Sequence, residues 1–457
     1  MFQLARALRS VTIAFLSGAV MILAGVAAPA IAKGNDRDGQ SHVRFHVRSP
    51  NPAALRQIYE LIRQRQYKNA ELLLKLVLVP QATWLVGGSP QEVAQVARRT
   101  LLEAKLQHAT PVFVLYNIPG RDCGSYSGGG AQTTAAYVAW IDAIAGALRD
   151  REAMVILEPD ALANLPVDCG YDPTGALTVD RYTQLRHAID TLGALPGTRV
   201  YLDAGHSRWH AVGTIASRLV QAGVADTSGF FLNASNYQPT PAQVQYGTWI
   251  SNCIAFASDP SDGGWRLGHY DYCASQYYPA NADDYSTWSL TDEWYANNLS
   301  GPPQNPTHFI IDTSRNGQAH AANSPNDPTY ETEPPGRMTL YAQAPYNQPS
   351  NVISTLAAGS WCNLPGAGAG ARPTASTGNA LVDAYLWIKI VGESDGSCDA
   401  AGGVRAWDYG SYSEPGWPTI FLEQQTFDPL WGRKDPSAGA WFPEQALELA
   451  KKAVPRL

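Results

Sequence analysis

The residues best placed to do chemistry are acids and amides that close short apolar runs. VFVLYNIPGRDC ends at Asp122, MVILEPD at Asp160, RVYLDAGH at Asp203, GFFLNASNY contains Asn233 just past its run, HFIIDTSRNG contains Asp312, and AYLWIKIVGESDG reaches Asp395. Several carboxyl groups drawn to one rim suit cleavage of a glycosidic bond, where one acid protonates the leaving oxygen and a second carboxylate handles water or the sugar. Taken singly, an Asp after a strand is more often a helix cap or turn former. The recurrence is what points to a site.

The runs themselves say how such residues would be gathered. Near-continuous Val, Ile, Leu and Phe segments, separated by helical stretches, are the pattern of parallel strands buried on both faces. In these folds function collects at the carboxyl ends of the strands. TTAAYVAWIDAIAGALRD puts Tyr137, Trp140, Ile141, Ile144 and Leu148 on one helical face. SPQEVAQVARRTLLEAKLQ, with Ser89 or the following Pro as a start signal, and TVDRYTQLRHAIDTLG read the same way. With a further strand at 82–86, ending near Trp84, the chain is a repeated βα unit that right-handed crossovers wind into a barrel or an open sheet. Two stretches, 238–306 and 318–360, are rich in Pro, Gly, Asn, Ser and aromatics and read as excursions from the active rim. A third irregular stretch, 400–439, precedes a closing helix in FPEQALELAKKAV.

Residues 1–32 read as a cleaved export signal: Arg6 and Arg9, an apolar run from Val11 to Ala28, then Ala30-Ile31-Ala32 as the small-residue cleavage site. The rival reading is an uncleaved membrane anchor. Residues 33–457 then form a single catalytic domain with no membrane association after cleavage. Without the leader, 31 basic residues face 40 acidic ones, so nucleic acid is excluded as a partner class. The six cysteines, at 123, 169, 253, 273, 362 and 398, form an even set that suits disulfides in an exported chain. No CxxC or His-rich spacing suggests a metal, and no cofactor is called for. Thirteen Trp and 22 Tyr offer flat faces for stacking on sugar rings, although most aromatics in any chain of this size are core.

The strings YNIPGRDC, ILEPDALANL, YLDAGHSRW, NASNY, IDTSRNG, WCN and LWIKIVGESDG, in that order, resemble glycoside hydrolase family 6, the inverting β-1,4-glucanases. The resemblance runs from about Trp84 to Asp395 and again in the closing helix. It implies an α/β fold in the form of a distorted, incomplete parallel β/α barrel of about seven strands with long rim loops. It implies Asp160 as the catalytic acid, Asp122 as a neighbouring carboxylate that favours its protonated form, and Asp395 as the proposed base. A like charge nearby does raise a carboxyl pKa. Arg121 and Arg315 match arginines that pair with Asp395, and a carboxylate held by guanidinium groups is a poor base, so a water relay from Asp395 is a substitute.

The resemblance further implies that Tyr116 crowds the sugar at the cleavage point and that Lys389 and Glu393 bind hydroxyls. It makes Trp84, Trp209 and Trp361 stacking platforms, and Asp203, His206 and Asn233 polar cleft residues; for Asp203 and His206 a structural role is an equal alternative. Trp387 reads as core. The implied disulfides are Cys123–Cys169 and Cys362–Cys398, with Cys253–Cys273 as a third, inside the first insertion. The chain departs from the pattern at Ile390 and Val391, where proline is common, near Gly128, where a closing serine is replaced unless Ser127 serves, and at Val212 in place of a second platform tryptophan. The function implied is secreted, monomeric hydrolysis of a β-1,4-glucan, endo-acting because the 122–160 interval is compact and Cys398 follows Asp395 closely. The alternatives are an exo-acting cellobiohydrolase, a xyloglucan-specific hydrolase, and a non-catalytic polysaccharide-binding relative.

Overall fold

The computed structural model describes residues 43–124, 126–318, 362–397, 428, 431 and 433–457. The leader at 1–32, Trp361 and Cys398 lie outside the described residues, as do nearly all of the second insertion and most of the third irregular stretch.

Seven strands form one sheet in chain order, every neighbour parallel: β1 (Thr83–Leu85), β2 (Val112–Leu115), β3 (Ala153–Leu157), β4 (Thr198–Asp203), β5 (Gly229–Leu232), β6 (Phe309–Asp312) and β7 (Val382–Leu386). The sheet curls into a distorted, incomplete α/β barrel. Alternation explains why the runs are apolar throughout. Phe113, Leu115, Val155, Leu157, Val200, Leu202, Phe230, Leu232, Phe309 and Ile311 face the helices. Val112, Val114, Met154, Ile156, Tyr201, Phe231 and Ile310 fill the inside of the curl. Each fully buried Leu, Ile or Phe contributes roughly 1.5–3 kcal/mol of transfer free energy.

Helices pack on the outer face of the sheet and at its seam. They are α1 (Pro52–Arg63), α2 (Tyr67–Val77), α3 (Pro90–Leu106), α4 (Thr134–Leu148), α5 (Ala176–Gly193), α6 (Val212–Ala222), α7 (Thr240–Phe256), α8 (Ser289–Asn298) and α9 (Pro443–Lys451). Ser89 starts α3 through a reciprocal capping box with Glu92. The expected inward face of α4 is fully buried. The first insertion differs from the expectation. It opens with α7, a helix of the regular βα rhythm whose buried Ala242, Tyr246, Trp249, Ile250, Cys253 and Phe256 follow helical spacing. Gly247 on that helix permits close approach to β6, since a Cβ there would lie 2.4 Å from the Phe309 ring.

Between β1 and β7 the seam is spanned by contacts beyond the strand limits. Ala82 N donates to Trp387 O (3.0 Å), Trp84 Nε1 to Ile388 O (2.8 Å) and Val391 N to Gln81 Oε1 (2.8 Å). A separate apolar cluster from α1, α2 and α9 packs there with Trp387 and Val391, so Trp387 is core as expected. Two disulfides have both partners described, Cys123–Cys169 and Cys253–Cys273. Cys253 sits in the core face of α7, so the second bond pins a surface turn to the barrel as well as fastening the insertion. Cys362 is also disulfide-bonded.

Candidate active site

The loops leaving the strands are held in unusual conformations. Asp122, Cys123, Glu158, Asp160, Asn233, Ser235 and Asn363 account for seven of the ten non-glycine residues with positive φ among the described residues. Such strain persists only where surroundings over-determine it, and it gathers at functional sites. Trp84, Tyr116, Asp122, Asp160, Trp209, Lys389 and Asp395 line one cavity beside these turns, together with Tyr126, Ser127, Asn164, Ser235 and Asn236.

Asp160 follows β3 in a turn braced from several sides. Glu158 Oε2 accepts from Asn117 N (2.8 Å) and Ile118 N (2.9 Å), tying the turn to the end of β2. Burial pushes the Glu158 carboxyl up to about 7 against the pull of those bonds. Arg181 donates to Ala161 O (2.9 Å) and Pro119 O (3.0 Å), and Arg218 donates to Leu162 O (2.8 Å). Tyr116 Oη donates to Asp160 Oδ2 at 3.1 Å. Burial, then the charges of Asp160 and Asp122, raise the Tyr116 phenol well above its usual range, so it remains a donor.

Asp203, expected as a cleft residue, is 3 % exposed and faces the backbone. Its Oδ2 accepts from Leu162 N (3.2 Å) and Ala163 N (2.9 Å), and Oδ1 from Gly205 N (3.1 Å). Burial and the Asp160 charge push its carboxyl up to about 7. Asp203 thus acts on the cavity through Asp160, by charge and by holding its turn. Asp122 Oδ2 accepts from Ser127 N (2.7 Å), and Ser127 Oγ donates to Asp395 O (3.2 Å), so Ser127 links the two acidic loops.

Asp395 is held by Arg315 (2.8 Å), Lys389 (2.8 Å), the Tyr237 hydroxyl (3.3 Å) and Asn363 N (3.2 Å). Burial alone would raise its carboxyl; the Arg315 and Lys389 charges outweigh that and hold it well below the usual carboxylate range. Arg121 does not join them, in contrast to the expectation. Its guanidinium donates to Ser127 O (2.8 Å), Val86 O (2.6 Å) and Tyr116 O, and lies 4.8 Å from the Tyr116 ring centroid, where backbone carbonyls satisfy its fork.

A family model described as glycosyl hydrolases family 6 matches residues 40–453. The chain belongs to that family. It is 32% identical over 387 residues to Endoglucanase A of Cellulomonas fimi, covering 84% of this chain and 56% of that one. Against Endoglucanase 1 of Streptomyces sp. (strain KSM-9) it is 30% identical, covering 70% and 65%. The chain therefore spans less than two thirds of these relatives. A solved endoglucanase Cel6 from Mycobacterium tuberculosis, in complex with a thio-linked cellobioside, is 30% identical with a TM-score of 0.56, covering 90% of this chain and 97% of that one.

Several expected family 6 site residues fall elsewhere. Asn233, fully buried, cross-links loops through Asp312 O (2.9 Å) and Gln238 N (2.9 Å). His206 packs its ring against Trp209, tilted by 46° at 5.3 Å between centroids. Glu393 faces Asn51 (3.0 Å) and Arg48 (3.8 Å) instead of this cavity. Asp312, another strand-end acid, accepts from Ser235, Ser314, Ile388 and Lys389 N–H groups. Val212 begins α6 fully buried, so that position presents no platform. Tyr237, Asn363, Arg181 and Arg218 were given no role by the sequence reading. Tyr237 and Asn363 stand inside the strings NASNY and WCN, the one sequence signal for them.

Proposed function

We propose that the chain hydrolyses β-1,4-glucosidic bonds of cellulose or a related β-glucan with inversion, Asp160 giving its proton to the leaving oxygen. The observation that carries this reading is the pairing of opposite environments in one cavity. Asp160 accepts from the Tyr116 phenol and faces the like charge of the buried Asp203 carboxyl, which opposes ionisation of both together, whereas Asp395 is locked as an anion by two cations. Water attacks the anomeric carbon, the bond to the leaving oxygen breaks, and the proton of Asp160 completes the new hydroxyl. So weak a base as Asp395 orients and polarises the attacking water through a relay, which passes the released proton to solvent. Trp84 and Trp209 offer faces for sugar rings, and Tyr116 fills the space at the cleavage point. The reading includes export behind a cleaved leader at 1–32.

Asp160→Asn tests the assignment. An amide has no proton to give, so turnover on cello-oligosaccharides falls by about 10²-fold or more, whereas substrates with activated leaving groups lose much less. Equal losses on both, with the fold intact by circular dichroism, would remove Asp160 from the role. Endo action is favoured by the compact segment between Asp122 and Asp160, whose loop folds back through an Arg121–Gly129 bridge. Rapid viscosity loss of carboxymethyl cellulose per reducing end supports endo action; slow loss with cellobiose as the main early product supports exo.

A further inference from the structure

Asp395 gets its direction from a residue that is not itself an acid. Asn363 is fully buried with φ 52°, a left-handed conformation that Asn tolerates. This turns its own N–H to Asp395 Oδ2 (3.2 Å) while its side-chain Oδ1 accepts from Asp395 N (2.8 Å). Both ends of Asp395, backbone and carboxylate, are therefore gripped by one residue. The amide can do this in only one of its two flips. Nδ2 must face acceptors, and three are supplied: Ser394 Oγ (3.0 Å), Gly396 O (3.0 Å) and Asp435 Oδ2 (2.8 Å).

Asp435 is 1 % exposed and Asp428 beside it is fully buried. Burial and the Asp428 charge push the Asp435 carboxyl up to about 9. Held neutral, the Asp435 carboxyl still accepts from Asn363 through Oδ2 (2.8 Å). Ser397 Oγ donates to Asp435 O (2.9 Å) and Ser394 Oγ to Pro436 O (2.7 Å), so the same segment also carries the backbone on either side of Asp395.

We propose that Asn363, fixed in its flip by the buried carboxyl of Asp435, is the positioning residue that aims the Asp395 carboxylate at the relay to the attacking water. The proposal rests on the reading of Asp395 given above. An anion already paired with Arg315 and Lys389 needs no further charge; it needs a direction, and a misplacement of about 1 Å at a reacting group can cost on the order of 10²-fold in rate.

The test compares Asn363→Ala, Asp435→Asn, Asp435→Leu, Asp395→Ala and the double variant Asn363→Ala/Asp395→Ala, with kcat and KM measured on cellotetraose and the fold checked by circular dichroism. Should Asn363→Ala not fold, Asn363→Gly, which keeps the positive φ, replaces it in both. Asn363→Ala is expected to lower kcat by about 10-fold or more with KM little changed, and to cause no further loss once Asp395 is gone. An amide at 435 can donate to Asp428 and accept from Asn363, so Asp435→Asn keeps most of the rate that Asp435→Leu loses. Losses that multiply in the double variant, a loss confined to KM, or equal damage from Asn and Leu at 435 would overturn the proposal. If Asp395→Ala is impaired and Asn363→Ala is not, the positioning role alone fails. If Asp395→Ala keeps full activity, the reading of Asp395 has failed and the positioning role goes with it.

Discussion

Replacing Asp203 with Asn separates the two effects of its carboxylate. An amide oxygen can still accept from Leu162 and Ala163, but the NH2 then faces the Gly205 N–H that Oδ1 now satisfies at 3.1 Å. One buried donor is left without an acceptor, at a cost of about 1–3 kcal/mol. The second effect is electrostatic. Burial and the Asp160 charge place the Asp203 carboxyl at about 7, and repulsion between like charges is mutual, so an ionised Asp203 favours the proton on Asp160. The two carboxyls release their last proton as a pair, so removing the Asp203 charge moves the alkaline limb of kcat/KM down.

The stability sign follows from the same shift. The folded carboxyl of Asp203 is raised above the unfolded value of about 3.9, so the native state binds more protons between about 4 and about 7. Wild-type stability from this group is fully present below that window and falls as pH rises through it. The neutral amide has no such dependence, so the melting-temperature deficit of Asp203→Asn is largest near pH 4 and narrows toward pH 8. Initial rates on cellotetraose between pH 4 and 9 and thermal melts over the same range read both effects. An alkaline limb that stays in place while rates drop uniformly would refute the charge coupling. A deficit that widens with rising pH would refute the buried protonated carboxyl.

Lys389→Met leaves Asp395 with Arg315, so the carboxylate protonates more readily and the acid limb of kcat moves to higher pH. The folded Asp395 carboxyl is depressed, so its stabilisation is present above the unfolded value and lost as pH falls; the gap between wild type and this variant is wider at pH 7 than near pH 3. The cost stays below the roughly 3–5 kcal/mol of fully breaking a buried pair, because Arg315 remains at 2.8 Å, and urea melts at the two pH values check it. Removing the Cys253–Cys273 bond with paired Ala substitutions, which opens a 20-residue separation, lowers stability by about 3 kcal/mol without changing kcat; denaturant melts alongside steady-state rates decide that.

The barrel was legible because its strands are apolar on both faces, one set of alternate residues meeting the helices and the other filling the curl. Tyr116, Asp122, Asp160, Asp395, Lys389, Trp84 and Trp209 could be named as a group and do meet in one cavity. Asp203, Asn233 and Asp312 look the same in sequence, yet the two carboxylates accept from clustered backbone N–H groups and Asn233 bridges backbone carbonyls and one N–H, so all three brace the rim instead of facing the cavity. Nothing local distinguishes the two fates, because the deciding partners lie up to 79 residues away, as with Asn233 and Asp312. Helix α7 was a different case. Its apolar spacing from Ala242 to Phe256 was present, but Pro239, Pro241, Gln243, Gln245, Gly247 and Asn252 obscured it. Arg121, which the family resemblance pairs with Asp395, instead donates from its guanidinium to three backbone carbonyls.

Proton NMR of the earliest turnovers on cellotetraose or longer cello-oligosaccharides tests inversion with Asp160 as acid most directly. The α-anomer of the new reducing end must appear first, with the β-anomer growing only at the rate of mutarotation. A β-anomer as first product would require a carboxylate nucleophile, and would contradict both the inverting reaction and the roles given to Asp160 and Asp395.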